Sequence, residues 1–250
     1  MRLFIQLSYD GSSFCGWQQQ ANAPSVQAEV ERALSLSFGE PVSVVGAGRT
    51  DTGVNARHYI AHFDLGTPPS GNSGSLLHKI NAILPAAIAA EALYAVADNA
   101  HARFDALSRT YRYYIRSAKD PFDRYAWRCP YPLDVEAMNR GAALLLGRHD
   151  FSSFEKTGGA NKTSLCTVTE ARWDTPADKR FVFTVTADRF LRNMVRAMVG
   201  TLLEVGRGSR APEWVAEVLA AHDRGAAGQS VVGEALFLEE IRYPYPLQTI

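Results

Sequence analysis

Cysteine is scarce in this 250-residue chain, and the three present, Cys15, Cys129 and Cys166, lie far apart with no CxxC pair. That spacing supports neither a zinc site nor a disulfide framework, and it fits reduced thiols in a cytoplasm better. No apolar stretch is long enough to span a bilayer. The N-terminus opens on an alternating segment, not on a charged region followed by an apolar run, so a soluble, untargeted, cytoplasmic protein is expected. There is no P-loop and no dinucleotide glycine fingerprint. Of the six histidines, His58 and His62 stand at strand spacing but without nearby cysteine, so packing is expected of them and metal binding is not. Any chemistry should therefore be free of metal and cofactor.

Net charge is missing too, with 26 basic and 26 acidic residues, which excludes a generic polycation. Lysine is nearly absent: 21 arginines stand against 5 lysines. Arginine suits bidentate phosphate contacts and stacking on bases, although genome composition can produce the same bias. Distribution matters more than the sum. Between Arg103 and Arg128 seven basic residues face three acidic ones.

What is present is a chain that is 46% hydrophobic and 21% charged, enough to bury a core in one large domain or two small ones. Residues 2–9 alternate as a half-buried strand with Leu3, Ile5, Leu7 and Tyr9 on one face. Ser25 caps a helix that Gly39 stops, with Val26, Val30, Ala33 and Leu34 as its apolar stripe. Strands follow over 41–45 and 57–65, then a flexible excursion over 67–74 rich in Pro, Gly and Ser, a helix ended by Pro85, and a strand over 88–96. This order is that of ferredoxin-like and RNA-recognition folds. It recurs: a strand over 109–117, a helix capped by Asp134, strands over 164–173 and 181–188, a long helix over 190–206, an extra helix over 212–221 and a last strand over 235–243. The expected fold is α+β, two related βαββαβ subdomains (1–106 and 107–250) sharing a mixed, mostly antiparallel sheet with helices on one side and a central cleft.

Between the second and third strands runs Gly46-Ala47-Gly48-Arg49-Thr50-Asp51-Thr52-Gly53-Val54-Asn55-Ala56. Its glycines allow φ > 0 or close backbone approach, and such a loop can aim one charged side chain. An ordinary turn is the plain alternative, since Asp and Gly are turn residues. Two other groups bear on chemistry. The strand at 109–116 puts Arg109, Tyr111, Tyr113 and Ile115 on one side and Arg112, Tyr114 and Arg116 on the other; an aromatic ring so placed can stack on a nucleobase while guanidinium groups hold phosphates. On the long helix, Arg192 and Arg196 form a short basic stripe, and Arg196 is flanked by Met194, Val195, Met198 and Val199. A guanidinium there needs a carboxylate or phosphate, and Asp51 is a candidate partner.

These groups together carry a resemblance. Tyr9-Asp10-Gly11 with Phe14-Cys15-Gly16-Trp17-Gln18, the 46–56 loop, Arg103-Phe104-Asp105-Ala106 with Arg109-Thr110-Tyr111-Arg112-Tyr113, Phe190-Leu191-Arg192-Asn193-Met194-Val195-Arg196 and Gly233 to Leu238 resemble, in order, the tRNA pseudouridine synthase A family. Asn55 stands where that family usually has histidine, and Thr52 where alanine is common. The resemblance implies conversion of uridine to pseudouridine at positions 38 to 40 of the tRNA anticodon arm, by a homodimer without metal or cofactor. It implies Asp51 as the catalytic aspartate, Tyr111 as the tyrosine stacking on the target uracil, Arg49 as an arginine of base flipping and Arg196 as an ion-pair partner. An RNA-recognition module without catalysis explains the element order but not a carboxylate centred in a glycine-bracketed loop, because a carboxylate facing phosphates weakens binding. A small-molecule lyase or hydrolase using Asp51 as base is the third reading; dependence of product on tRNA separates it.

Overall fold

Local capping sets the helix ends in the computed structural model, which describes residues 1–69, 71–158 and 162–250. After β1 (Arg2–Tyr9), Ser25 accepts the Ala28 N–H through its hydroxyl at 3.3 Å and starts α1 (Val26–Phe38). Gly39, at φ 74°, ends that helix in the left-handed conformation that costs glycine least. β2 (Val44–Gly46) is shorter than the expected strand, and β3 (Asn55–Asp64) starts two residues earlier than expected. Asn72 caps α2 (Ser73–Ile83), and β4 (Ile88–Ala95) follows. Of the excursion over 67–74, Ser70 lies outside the described residues.

β5 (Ser108–Arg116) opens the second series and is joined by the two-residue β6 (Trp127–Arg128). Asp134 accepts the Ala137 N–H at 2.9 Å and caps α3 (Val135–Ala143). β7 (Gly147–Asp150), β8 (Leu165–Ala177) and β9 (Arg180–Ala187) precede α4 (Met194–Gly206), α5 (Trp214–Ala221), β10 (Leu236–Arg242) and β11 (Gln248–Thr249).

Two compact units result, one of residues 1–107 with 238–250, the other of residues 108–237. In the first, the strands run β11-β4-β1-β3 with β2 on β3. The β4–β11, β1–β4, β1–β3 and β2–β3 pairs are all antiparallel, which is the split βαββαβ arrangement expected from element order. Leu3, Ile5 and Leu7 are fully buried, each contributing about 1.5–3 kcal/mol relative to exposure. Phe4, on the other face of β1, is buried as well, because His62 and Tyr243 pack against its ring. In the second unit β5 pairs with β9, β9 with β8 and β8 with β7, all antiparallel, while β6 adds to β5 in parallel. The fold is α+β, with antiparallel pairing predominant.

The long helix begins four residues later than its apolar periodicity predicts. Asn193 sits at φ 65°, a left-handed conformation that asparagine tolerates better than most residues, so residues 191–194 close a turn, with the Met194 N–H on the Leu191 carbonyl at 3.1 Å, and the helix starts at Met194. Arg192 therefore stands outside α4, and the expected basic stripe of Arg192 and Arg196 along one helix face does not exist.

Candidate active site

The 47–54 loop is tied down on both flanks of Asp51. The Ala47 N–H donates to the Ile60 carbonyl at 2.9 Å, and the Tyr59 hydroxyl donates to the Gly48 carbonyl. Thr50, buried, meets the Tyr9 hydroxyl through Oγ1 at 3.0 Å, and its carbonyl accepts the Trp17 N–H at 3.2 Å. The Gly53 N–H donates to the Phe14 carbonyl at 3.3 Å, and the Val54 N–H returns to the Asp51 carbonyl at 3.1 Å, closing a turn around the acid. Asp51 itself is half-buried. Ordering of this loop is thus completed when the chain folds, so little of it remains to be lost when substrate binds.

Aromatic packing supports those bonds. Trp17, almost fully buried, stacks on Tyr59 with ring centroids 4.1 Å apart, and Tyr9 meets Tyr59 edge-on at 5.5 Å. Residues 14–18, one of the motifs that carry the resemblance, are therefore a clamp on the acid-bearing loop. Two glycines let it close. A Cβ on Gly46 would lie 2.0 Å from the Tyr59 hydroxyl and 2.7 Å from the Trp17 ring. Gly16 has φ 93°, and a Cβ there would lie 2.3 Å from the Thr50 carbonyl oxygen. Gly48 needs neither allowance: its φ is not positive and a Cβ would meet nothing within 4 Å.

Arg49 is exposed, and its Nε donates to Gln18 Oε1 at 3.1 Å. Asn55, the departure from the usual family histidine, is buried and accepts the Gly11 N–H through Oδ1 at 2.8 Å. Asparagine at this position joins the 10–13 turn to the start of β3.

Tyr111 and Arg196 belong to the second unit. Tyr111, half-buried on β5 opposite Val185, meets Phe190 edge-on at 5.1 Å and 86°. Phe190 thereby fixes the plane of a ring that strand geometry alone leaves free to turn. Arg196 is half-buried; its Nε donates to the Val231 carbonyl at 2.6 Å while its own carbonyl accepts the Val231 N–H at 3.2 Å. Tyr113 is fully buried and its hydroxyl has no hydrogen-bond partner among the described residues. Burial pushes that phenol well above its ordinary value, with the Arg196 guanidinium opposing.

Several of the seven cations between 103 and 128 have structural duties. Arg116 donates to the carbonyls of Ala118 and Ala126, Arg109 donates to the Asp188 carbonyl at 2.7 Å, and Arg124 lies over the Tyr125 ring. Asp120 and Asp123 pair with Arg180, from outside the segment. The histidines at strand spacing are acceptors: His62 Nδ1 takes the Ala102 N–H at 3.2 Å and His58 Nδ1 takes the Ile241 N–H at 3.3 Å. Among the described residues no group of three His, Cys, Asp or Glu could hold a metal ion, and no helix is long and apolar enough to cross a membrane.

Thr50, Trp17, Tyr59, Gln18, Phe190 and Val231 were not singled out as site residues by the sequence. Four of them lie inside or beside its motifs; Tyr59 and Val231 carried no local signal, because their partners are distant in the chain.

Residues 142–244 match the family model described as tRNA pseudouridine synthase. Curated relatives match over nearly the whole chain. A tRNA pseudouridine synthase A of Parabacteroides distasonis is 49% identical, covering 98% of this chain and 97% of the relative. That of Porphyromonas gingivalis is 47% identical over 98% of each chain. One from Syntrophotalea carbinolica is 41% identical over 97% of this chain and 96% of its own. With identities this high over full length, the chain belongs to the tRNA pseudouridine synthase A family and is an isomerase of tRNA modification.

Proposed function

We propose that the protein isomerises uridine to pseudouridine at positions 38 to 40 in the anticodon arm of tRNA, with Asp51 as its catalytic carboxylate. The observation that carries this reading is the clamp on Asp51: an acid held half-buried between a bonded Thr50 and a bonded Gly53 is placed for chemistry, where a solvated turn would be left loose. The positions and the homodimer follow from the family resemblance, and the cytoplasmic location from the scarce, widely spaced cysteines.

The reaction is balanced within the substrate. The N1–C1′ bond breaks, the uracil turns while held, C5 bonds to C1′, the C5 proton leaves and N1 gains one. No redox partner is consumed. An ionised Asp51 has three routes into this sequence: addition to C1′, addition to C6, or removal of the C2′ proton. The target base has to leave its stack first, and the part assigned to Arg49 is in that flipping. Tyr111 would hold the detached uracil by stacking, its ring braced by Phe190. Arg196 takes, by the same resemblance, the part of an ion-pair partner.

The test is incubation with unmodified tRNA carrying tritium at uracil C5. Release of one label per modified position, without added metal or cofactor, and loss of release when uridines 38 to 40 are replaced, is the expected result. Release unaffected by those replacements would move the site elsewhere in tRNA.

A further inference from the structure

The motif Arg103-Phe104-Asp105-Ala106 has no role in the reading above, yet the structure builds it with care. Phe104 is 75% exposed, one of the most exposed large apolar side chains among the described residues. It does not dangle. Its ring lies against the His101 imidazole with centroids 4.2 Å apart and planes tilted by 35°, and the Arg103 guanidinium sits 5.7 Å from the ring centroid.

The turn that presents this ring is stapled from beneath. His101 Nδ1 accepts the N–H groups of both Arg103 and Phe104, at 3.1 and 3.3 Å. Asp105 accepts the His101 N–H at 2.8 Å and the Tyr245 hydroxyl at 2.7 Å, so the turn's carboxylate is drawn into the network. The Ala102 carbonyl accepts the Tyr243 hydroxyl at 2.6 Å, and the Ala102 N–H donates to buried His62. His62 meets His101 edge-on at 4.6 Å, and Tyr243 packs on Phe4 in the core. Burial pushes both imidazoles down, so they stand neutral and act as acceptors at neutral pH.

A turn needs no phenylalanine, and exposure of the ring to water gains nothing for folding. What the arrangement does supply is a rigid aromatic face, backed by an imidazole and flanked by a guanidinium, at no conformational cost on binding. That is the chemistry of a base-stacking platform: any base has a π-face to offer, and a nearby cation adds attraction to phosphate. A protein partner is favoured by broad apolar surface, and here the neighbours of the ring are a polar imidazole and a charged guanidinium.

We propose that Phe104 is a stacking platform for an unstacked nucleobase of the tRNA substrate, held in place by His101 and the Tyr243–Tyr245 segment. This rests on tRNA being the substrate, and it adds a contact separate from Asp51 and Tyr111.

The experiment measures equilibrium binding of unmodified tRNA in parallel with tritium release, for wild type, Phe104→Leu, Phe104→Tyr and the surface control Leu36→Ser, together with sedimentation mass and melting temperature. Leu36 is 61% exposed on α1, away from the motif in sequence. Phe104→Leu should raise the tRNA Kd and KM about tenfold with kcat little changed, because stacking is lost while apolar volume is kept. Phe104→Tyr should restore wild-type binding, and no variant should shift the mass or the melting temperature. Unchanged Kd in Phe104→Leu overturns the platform, as does a Kd increase that Phe104→Tyr fails to restore. A shift of sedimentation mass in Phe104→Leu without a change in Kd overturns it in favour of a protein interface. Wild type that binds tRNA but releases no tritium would contradict the proposed reaction alone, since the Kd comparison still decides the platform.

Discussion

The Tyr9 hydroxyl and the Thr50 Oγ1 meet at 3.0 Å inside the protein, so the residue immediately before Asp51 hangs from the first strand. Forty-one residues of chain separate the two partners, and the bond converts a glycine-bracketed turn into a fixed mount.

Removal of that bond should affect catalysis more than folding. Thr50→Val keeps shape but deletes the hydroxyl, at a cost of about 1 kcal/mol or somewhat more because the Tyr9 hydroxyl is then stranded. Displacement of the neighbouring acid should lower kcat about tenfold or more with KM little changed, and Thr50→Ser should restore it. Tritium release and thermal melts check both. A Thr50→Val enzyme with wild-type kcat would mean the mount is dispensable.

Gly46 and Gly48 should respond differently to the same change. Gly46→Ala drives a Cβ into the Tyr59 hydroxyl and the Trp17 ring, and a loss of more than about 3 kcal/mol is expected unless the clamp shifts. Gly48→Ala meets open space and should stay within about 0.5 kcal/mol of wild type. Urea unfolding of both variants measures the contrast; equal losses would contradict the close packing of Gly46.

The helix caps at Ser25 and Asp134, the alternation of β1 and the acid-bearing loop were legible because each is decided within a few residues. The start of α4 was not, since apolar periodicity runs back through Phe190 and Leu191 while the left-handed Asn193 breaks the helix. β6, β7 and β11 span two to four residues, too few for alternation to register. The clamp on Asp51 stayed hidden for another reason. Tyr9, Trp17 and Tyr59 look like ordinary core aromatics until the fold brings them under one loop.

His62 should make stability depend on pH. Burial, with help from the Arg2 charge and then His101, pushes its folded pKa from 6.5 down to about 4. The unfolded chain therefore takes up the proton first as pH falls. The stabilisation by neutral His62 is complete above about 6.5 and is lost as pH drops toward about 4, by at most about 3 kcal/mol. Urea midpoints at neutral pH and near pH 4.5 should diverge for wild type and diverge less for His62→Gln, the remainder coming from His58 and His101, which burial also lowers. Parallel pH profiles in the two proteins would rule out this source.

Tyr111→Phe keeps the ring and its edge contact with Phe190, so tRNA binding and activity should both persist. Tyr111→Leu should weaken binding about tenfold through lost stacking. Filter binding and label release measured together separate the cases. Activity lost in Tyr111→Phe at unchanged Kd would show that the hydroxyl takes part in the chemistry, contrary to a purely stacking role.

Dependence of the isomerisation on the clamped carboxylate of Asp51 is measured most directly by release of C5 tritium from tRNA by Asp51→Ala and Asp51→Asn. Both variants should fold with the wild-type melting temperature and bind tRNA, and both should leave the label in place. Detectable pseudouridine from Asp51→Ala would contradict the assignment.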